Sequence, residues 1–319
     1  MNNFFKLIRP INLLIIAFTM IGLAFYFDQL LEKSGQGGSL YSLNFFLLTL
    51  STVIIAASGN IINDYFDVKA DRVNRPERLV VGKFIKRRVA ILLHWILNLV
   101  AFGIAVYLSY KMSSFWYLFI HLLSINLLWY YSVQLKRTAV IGNVVIALLT
   151  ALVPILVGIF YAQSYDWENI SNLFPFVSQD IEYFPVYLGV GLGLFAFFLN
   201  WTRELVKDIE DIKGDKILKA KTFPIVYGVN YSKILSYIIL LMPVLISVFY
   251  FFLKRKTIVN EFSSYLPLLA AGILMILVYI LISRSKTPQQ FRKAHLVIKI
   301  IMIIGFLLPV YWGILIILQ

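Results

Sequence analysis

Apolar residues in this chain come in long runs rather than at helix or strand period, and each run is about as long as a bilayer is thick. A span needs about 20 mostly apolar residues, and nine segments qualify: 11–27, 41–62, 89–110, 115–134, 139–162, 184–202, 233–253, 265–283 and 296–318. The pattern predicts an all-α, polytopic membrane protein of nine transmembrane helices. The stretch from Ile11 to Phe27, behind Lys6 and Arg9, has the outline of a signal peptide. No small-residue cleavage site follows and the next segment is again apolar, so it reads as a retained first span.

Charge orients the spans. With the N-terminus in the cytoplasm, one side receives Lys6 and Arg9, the eight basic residues from Lys69 to Arg88, Lys136 and Arg137, the seven from Arg203 to Lys233, and Arg284, Lys286, Arg292, Lys293 and Lys299. The other side receives Lys33, Lys111, Lys254, Arg255 and Lys256. Basic residues favour the cytoplasmic side, so the bias predicts an inward N-terminus, an outward C-terminus and a prokaryotic cytoplasmic membrane. The net charge of +13 in a chain that is 60% hydrophobic and 14% charged is this bias rather than a nucleic-acid footprint; soluble proteins are about one quarter charged. The absence of cysteine excludes disulfides, zinc–thiolate sites and thiol nucleophiles. His94, His121 and His295 are too scattered for a histidine metal site. The first two lie within spans and are expected to be neutral, hydrogen-bonded packing residues, and His295 to be interfacial. Pro154, Pro243 and Pro309 fall inside spans and are expected to mark kinks. The run Lys83, Lys86, Arg87 and Arg88 is expected to anchor to anionic headgroups.

Two acidic clusters follow the second and sixth spans, on the same predicted side and four spans apart. The first holds Asn60, Asn63, Asp64, Asp67 and Asp71; the second holds Arg203, Glu204, Lys207, Asp208, Glu210, Asp211 and Asp215. Their position suggests one domain, 1–319, of two four-helix repeats (about 1–137 and 138–285) followed by a ninth helix, 296–318. The segments 64–88 and 203–232 are expected to be structured caps, and the loop 163–183, which has no basic residue, to face outward. Asp64, Asp67 and Asp71 (i, i+3, i+7) share one helix face, as do Glu204, Asp208, Asp211 and Asp215 (i, i+4, i+7, i+11). Carboxylates at a helix C-terminus oppose the backbone dipole and repel one another, which calls for a compensating cation. Hard oxygen ligands without sulfur or histidine favour Mg²⁺. Two such stripes with interleaved cations describe a diphosphate clamp, in which Arg72, Arg78, Lys136, Arg137, Arg203 and Lys207 are available for the remaining oxygens. An apolar surround with 51 aromatic residues suits a diphosphate carrying a hydrocarbon tail.

These motifs resemble those of the UbiA superfamily of intramembrane prenyltransferases. Asn63, Asp64, Asp67 and Asp71 match its first aspartate-rich motif. Lys207, Asp208, Glu210, Asp211, Gly214 and Asp215 match the second. Asn74, Pro76, Arg78 and Gly82 resemble the stretch after the first motif, Arg9, Pro10 and Asn12 the opening of the first helix, and Lys136, Arg137, Gly142 and Asn143 the loop between helices four and five. The resemblance implies nine helices around a central cavity with the acidic motifs at its cytoplasmic mouth. It implies Mg²⁺ and a prenyl diphosphate donor. Asp64, Asp67 and Asp71, assisted by Asn60 and Asn63, would hold one ion, and Asp208, Asp211 and Asp215 another. Lys136, Arg72 and Lys207 would hold the diphosphate. Some members place a tyrosine four residues before the loop lysine; here Ser132 occupies that position and Tyr131 lies five before Lys136. Around Arg203 to Asp211 the chain is most similar to members that add a second geranylgeranyl chain to geranylgeranylglyceryl phosphate; members that prenylate quinone precursors or other aromatic acceptors carry related segments. Two other classes compete. A cation-coupled transporter would keep its acids near the bilayer midplane in broken helices, whereas these lie at span ends. A CDP-alcohol phosphotransferase would keep its aspartates in one contiguous motif.

Overall fold

The computed structural model describes residues 2–74, 76–165, 167, 183–258 and 266–318. Its helices are α1 (Asn2–Ile8), α2 (Pro10–Lys33), α3 (Leu43–Asn74), α4 (Arg87–Lys111), α5 (Phe115–Val133), α6 (Ile141–Ser164), α7 (Phe184–Ile217), α8 (Phe223–Val226), α9 (Val229–Ile258), α10 (Leu266–Arg284) and α11 (Pro288–Leu318). Apart from the short α1 and α8, each contains one of the expected spans. Eight are long and apolar enough to cross a membrane, so the chain is an integral membrane protein. The ninth, α5, carries His121, Ser124, Asn126 and several Tyr and Trp residues that lower its hydropathy. Most of the loop expected at 163–183 lies outside the described residues.

Two helices overrun their expected spans. The apolar runs end at 62 and 202, but α3 continues to Asn74 and α7 to Ile217. What was expected as separate caps therefore begins as the protruding ends of membrane helices. At 1.5 Å per residue each extension adds several turns. The spacing of the acids permits this, because their stripe shares one face and meets cations from elsewhere. Helix α3 stops just ahead of Pro76, as a proline disfavours helix in the residue before it.

Close approach of small residues fixes the register of α7 on α6. A Cβ at Gly158 would meet the Pro185 carbonyl oxygen at 2.3 Å, one at Gly189 that of Pro154 at 2.7 Å, and one at Gly193 that of Ala151 at 2.9 Å. Apolar helices in lipid gain little from hydrophobic burial against one another, so backbone-close contacts of this kind supply much of the packing. His94 and His121 do pack as buried, hydrogen-bonded groups. His94 Nδ1 lies 3.0 Å from the Ser58 carbonyl oxygen, and His121 has Ser51 Oγ and the Tyr117 carbonyl oxygen each at 2.7 Å. At the end of the bundle away from the acidic motifs, buried Asp28 accepts hydrogen bonds from the backbone N–H groups of Ser39 (3.0 Å) and Leu40 (2.9 Å) and from the Tyr161 hydroxyl (2.6 Å).

The long helices other than α4 enclose a cavity of about 1170 Å³. Its walls are mostly Leu, Ile and Val, with Tyr26, Phe184 and Trp312 toward the Asp28 end. The volume exceeds the usual range for small-ligand sites, about 300–1,000 Å³. The other end of the cavity is polar.

Candidate active site

The polar end is built where the protruding turns of α3 and α7 meet. The junction of α1 and α2 folds over α3. The Asn60 side-chain amide donates to the Ile8 carbonyl oxygen at 2.9 Å, and the Arg9 guanidinium pairs with Asp64. Arg9 is held in the left-handed region (φ 54°) immediately before a proline. Such a conformation costs about 1–3 kcal/mol in a non-glycine residue. The ion pair and the Asn60 clamp help to offset it.

The 3₁₀ turn Leu135–Arg137 supplies the second cation. Lys136 pairs with Asp67 and donates to Asn63 Oδ1 at 3.2 Å. The same ammonium acts electrostatically on Asp64 and Asp71 of α3 and on Glu204 and Asp215 of α7, and Asp67 and Asp215 act directly on each other. The two acidic stripes therefore face one another across Lys136. The chain leaving α7 is tied to the same turn, with the Lys221 N–H donating to the Arg137 carbonyl oxygen at 2.8 Å. Gly142 lets the turn lie flat, since a Cβ there would stand 2.4 Å from the Leu135 carbonyl oxygen and 3.1 Å from Lys136 Cα.

On α7, Glu204 is buried and pairs with Arg203, while Lys207 bridges Glu204 (3.6 Å) and Asp211 (3.9 Å). Asn143 of α6 donates to Asp208 Oδ2 at 2.8 Å. Asp215 is buried and Asp71 half-buried. Arg9, Asn12, Asn60, Asn63, Arg203, Glu204 and Lys207 line the cavity directly, with Asp64, Asp67, Asp208 and Asp211 on the adjoining turns. Tyr131 is buried, lines the cavity and lies close enough to interact with Glu204, Asp208 and Asp67.

Other expected site residues go elsewhere. Arg72 and Arg137 line a separate depression on the outer flank of α3 rather than the cavity. The Arg78 side chain lies outside the described residues. Conversely, Lys299 of α11 lines the cavity and donates to Asn12 Oδ1 at 2.9 Å. The sequence reading counted it only toward charge bias. A lysine three residues into an apolar run was a signal in itself, since intramembrane cations are costly and mark function. His295, expected at the interface, faces Glu210 at 3.6 Å.

Among the described residues no three acids or histidines are already gathered around one point. The carboxylates are instead engaged by Arg9, Lys136, Lys207 and Asn143. That donor set fits a cation that takes one or two carboxylates and completes its shell with water and phosphate oxygens; it does not fit a closed all-protein cage.

An apolar cavity capped by paired acidic helix ends and basic side chains defines an intramembrane protein able to hold an amphiphile with a strongly anionic head. The chain belongs to the UbiA prenyltransferase family, whose model matches residues 33–317. It is 28% identical over 306 residues to the digeranylgeranylglyceryl phosphate synthase of Methanosphaera stadtmanae, covering 96% of this chain and 97% of that one. Among solved structures it resembles one described as digeranylgeranylglyceryl phosphate synthase in membranes (TM-score 0.66, 24% identity, 98% of each chain). It also resembles a UbiA homolog from Archaeoglobus fulgidus bound to DMAPP and Mg²⁺ (TM-score 0.56, 17% identity, 96% of this chain and 99% of that one).

The Gly142 contact yields an expected result. Gly142→Ala should push the Leu135–Arg137 turn away from Asp67 without disturbing the bundle. Misplacing a positioned group by about 1 Å can cost about 100-fold. Turnover should fall by roughly that factor while the circular-dichroism melt stays close to wild type.

Proposed function

We propose that this prenyltransferase moves a geranylgeranyl group from its diphosphate to the free hydroxyl of geranylgeranylglyceryl phosphate, with Mg²⁺ as cofactor. The observation that carries the reading is the cavity itself. One end gathers Arg9, Arg203, Lys207 and Lys299, with Glu204 the one acid lining it among the described residues, and most of the remaining wall is apolar. A volume above the small-ligand range favours two long hydrocarbon tails over one tail and a compact aromatic ring. Lys299, which meets the neutral Asn12 inside the cavity rather than a carboxylate of the two motifs, favours an acceptor that brings a phosphate of its own.

In this reading Asp64, Asp67 and Asp71, with Asn63, hold one ion, and Asp208, Asp211 and Asp215 a second. Held there, Mg²⁺ would supply charge neutralisation to the diphosphate leaving group. Lys136 and Lys207 supply N–H donors to the diphosphate oxygens. Arg9 and Arg203 complete the anion site. Tyr131 presents its ring at the level of the motifs, where positive charge develops on the allylic carbon. The apolar wall excludes water, so the acceptor hydroxyl rather than water takes the prenyl group; the carbon–oxygen bond to diphosphate breaks, the ether C–O bond forms, and the hydroxyl proton passes to the released diphosphate. Asn12 orients Lys299, which meets the acceptor phosphate. The motif end faces the cytoplasm, as the distribution of basic residues suggests. The chain reads as one domain of two four-helix repeats and a ninth helix.

Product analysis tests this. Purified protein in nanodiscs receives geranylgeranyl diphosphate and Mg²⁺ with either geranylgeranylglyceryl phosphate or a hydroxynaphthoate. Mass spectrometry should find the doubly prenylated glycerophosphate. Prenylated naphthoate alone would refute the acceptor assignment and leave the class intact. A hydrogen bond to a charged group is worth about 1.5–3 kcal/mol. Lys299→Gln should therefore raise the KM for the glycerophosphate by about tenfold or more, with the donor KM and kcat little changed.

A further inference from the structure

A second depression, of about 670 Å³, lies at the motif end of the bundle but outside the cavity. Five basic side chains line it from four parts of the chain: Lys69 and Arg72 on α3, Arg87 opening α4, Arg137 of the 3₁₀ turn, and Lys219 just after α7. Among the described residues no acidic side chain lines it and none of the five forms an ion pair. All five are exposed. Five like charges converging without a counter-charge repel one another, so the fold bears a cost that an anion would remove. The geometry around Lys219 is also particular, since it is held at φ 53° just beyond the C-terminus of α7.

The surroundings indicate where that anion comes from. Tyr65 and Phe66 form part of the lining, and the Arg87 guanidinium sits 4.5 Å from the Tyr65 ring centroid. Phe66 meets Trp129 edge-on (6.0 Å between centroids), and Trp129 in turn contacts Trp95 (5.3 Å), which is half exposed on the outside of the bundle. Tryptophan and tyrosine concentrate at the membrane–water interface. The depression thus opens beside an aromatic path that runs from its lining to the outside of the bundle. A ligand with a phosphate at one end and acyl or isoprenoid chains at the other matches both parts.

We propose that this depression binds the phosphate headgroup of an anionic membrane lipid, with its tail along Trp129 and Trp95. The bound headgroup bridges the ends of α3 and α7 from outside, through Lys69 and Arg72 on one side and Lys219 on the other. It assigns Arg72 and Arg137 a headgroup rather than the donor diphosphate. It does not depend on which acceptor the cavity takes.

Native mass spectrometry of the intact protein, offered equal phosphatidylglycerol and phosphatidylcholine, tests the proposal. Each cation near a membrane surface contributes about 1 kcal/mol toward an anionic lipid, so wild type should retain phosphatidylglycerol by about tenfold or more over phosphatidylcholine. The variant Lys69→Gln/Arg87→Gln/Lys219→Gln should lose the preference. Lys69→Gln/Lys219→Gln leaves the Arg87–Tyr65 stack intact and should show an intermediate preference should the triple variant fail to fold. Arg284→Gln/Lys286→Gln/Lys293→Gln, three basic residues outside the depression, should retain the wild-type preference. Equal loss in that control would reduce the effect to diffuse surface charge and overturn the proposal. Release of the lipid by millimolar inorganic phosphate or diphosphate, but not by chloride of the same ionic strength, would also overturn it and assign the depression to a free anion.

Discussion

Asp67→Ala and Asp211→Ala should each lower kcat/KM for a radiolabelled prenyl diphosphate by about three orders of magnitude or more, with the protein still folded. Asp67 is buried, and its charge is met by Lys136 in the resting structure. Removing the carboxylate leaves that ammonium half-buried with Asn63 as its remaining hydrogen-bond partner, which costs about 3–5 kcal/mol for a buried pair, and removes a proposed metal ligand as well. On α7, Asp211 shares Lys207 with Glu204 (3.9 and 3.6 Å), so its loss leaves that ammonium partnered and the expected effect rests on its proposed role toward the second ion. Each carboxylate is proposed to serve a different ion on one diphosphate, so the double variant should be little worse than either single one. Groups that act as a unit are non-additive in this way. Turnover unchanged in both single variants would defeat the assignment of the motifs to the chemistry.

Lys136→Ala should be almost as damaging, by about 100- to 1,000-fold, on the 3–5 kcal/mol scale of a broken buried pair. Lys136 contacts Asn63 and Asp67 while acting on Glu204 and Asp215 of the opposite helix. If Lys136 moves to the diphosphate as substrate enters, the loss should appear in both donor KM and kcat. Lys136→Arg should recover only part of it, because the forked guanidinium is not a point charge. A variant that lost thermal stability but kept wild-type kinetics would make Lys136 a structural counter-ion and nothing more.

The spans were legible because uninterrupted apolar runs need no tertiary information, and each of the nine lies inside an observed helix to within two residues at its ends. The acid stripes were legible because helical spacing places residues on a face whatever that face meets. What they meet was not. Arg9 reaches Asp64 across 55 positions and Lys136 reaches Asp67 across 69, and local pattern carries no such information. Adjacent residues can also part company. Asp71 stays with Asp64, Asp67 and Lys136 while its neighbour Arg72 lines the outer depression, and Lys136 and Arg137 divide in the same way across one 3₁₀ turn. The overrun of α3 and α7 was hidden because charge marks the end of a membrane span, whereas a helix ends only where its backbone pattern breaks. The position of Tyr131 at the level of the motifs could not be inferred by counting back from Lys136, because α5 ends and the 3₁₀ turn intervenes.

The central claim is that α3 and α7 together hold a single diphosphate through metal. Equilibrium binding of a non-ionising thiolo analogue of geranylgeranyl diphosphate tests it most directly, measured with Mg²⁺ and with EDTA for wild type, Asp67→Asn and Asp211→Asn. The expected result is tight binding by wild type with Mg²⁺ alone, and loss of the Mg²⁺-dependent affinity when either helix is altered. Equal affinity with and without the metal, or a loss confined to one helix, would contradict it.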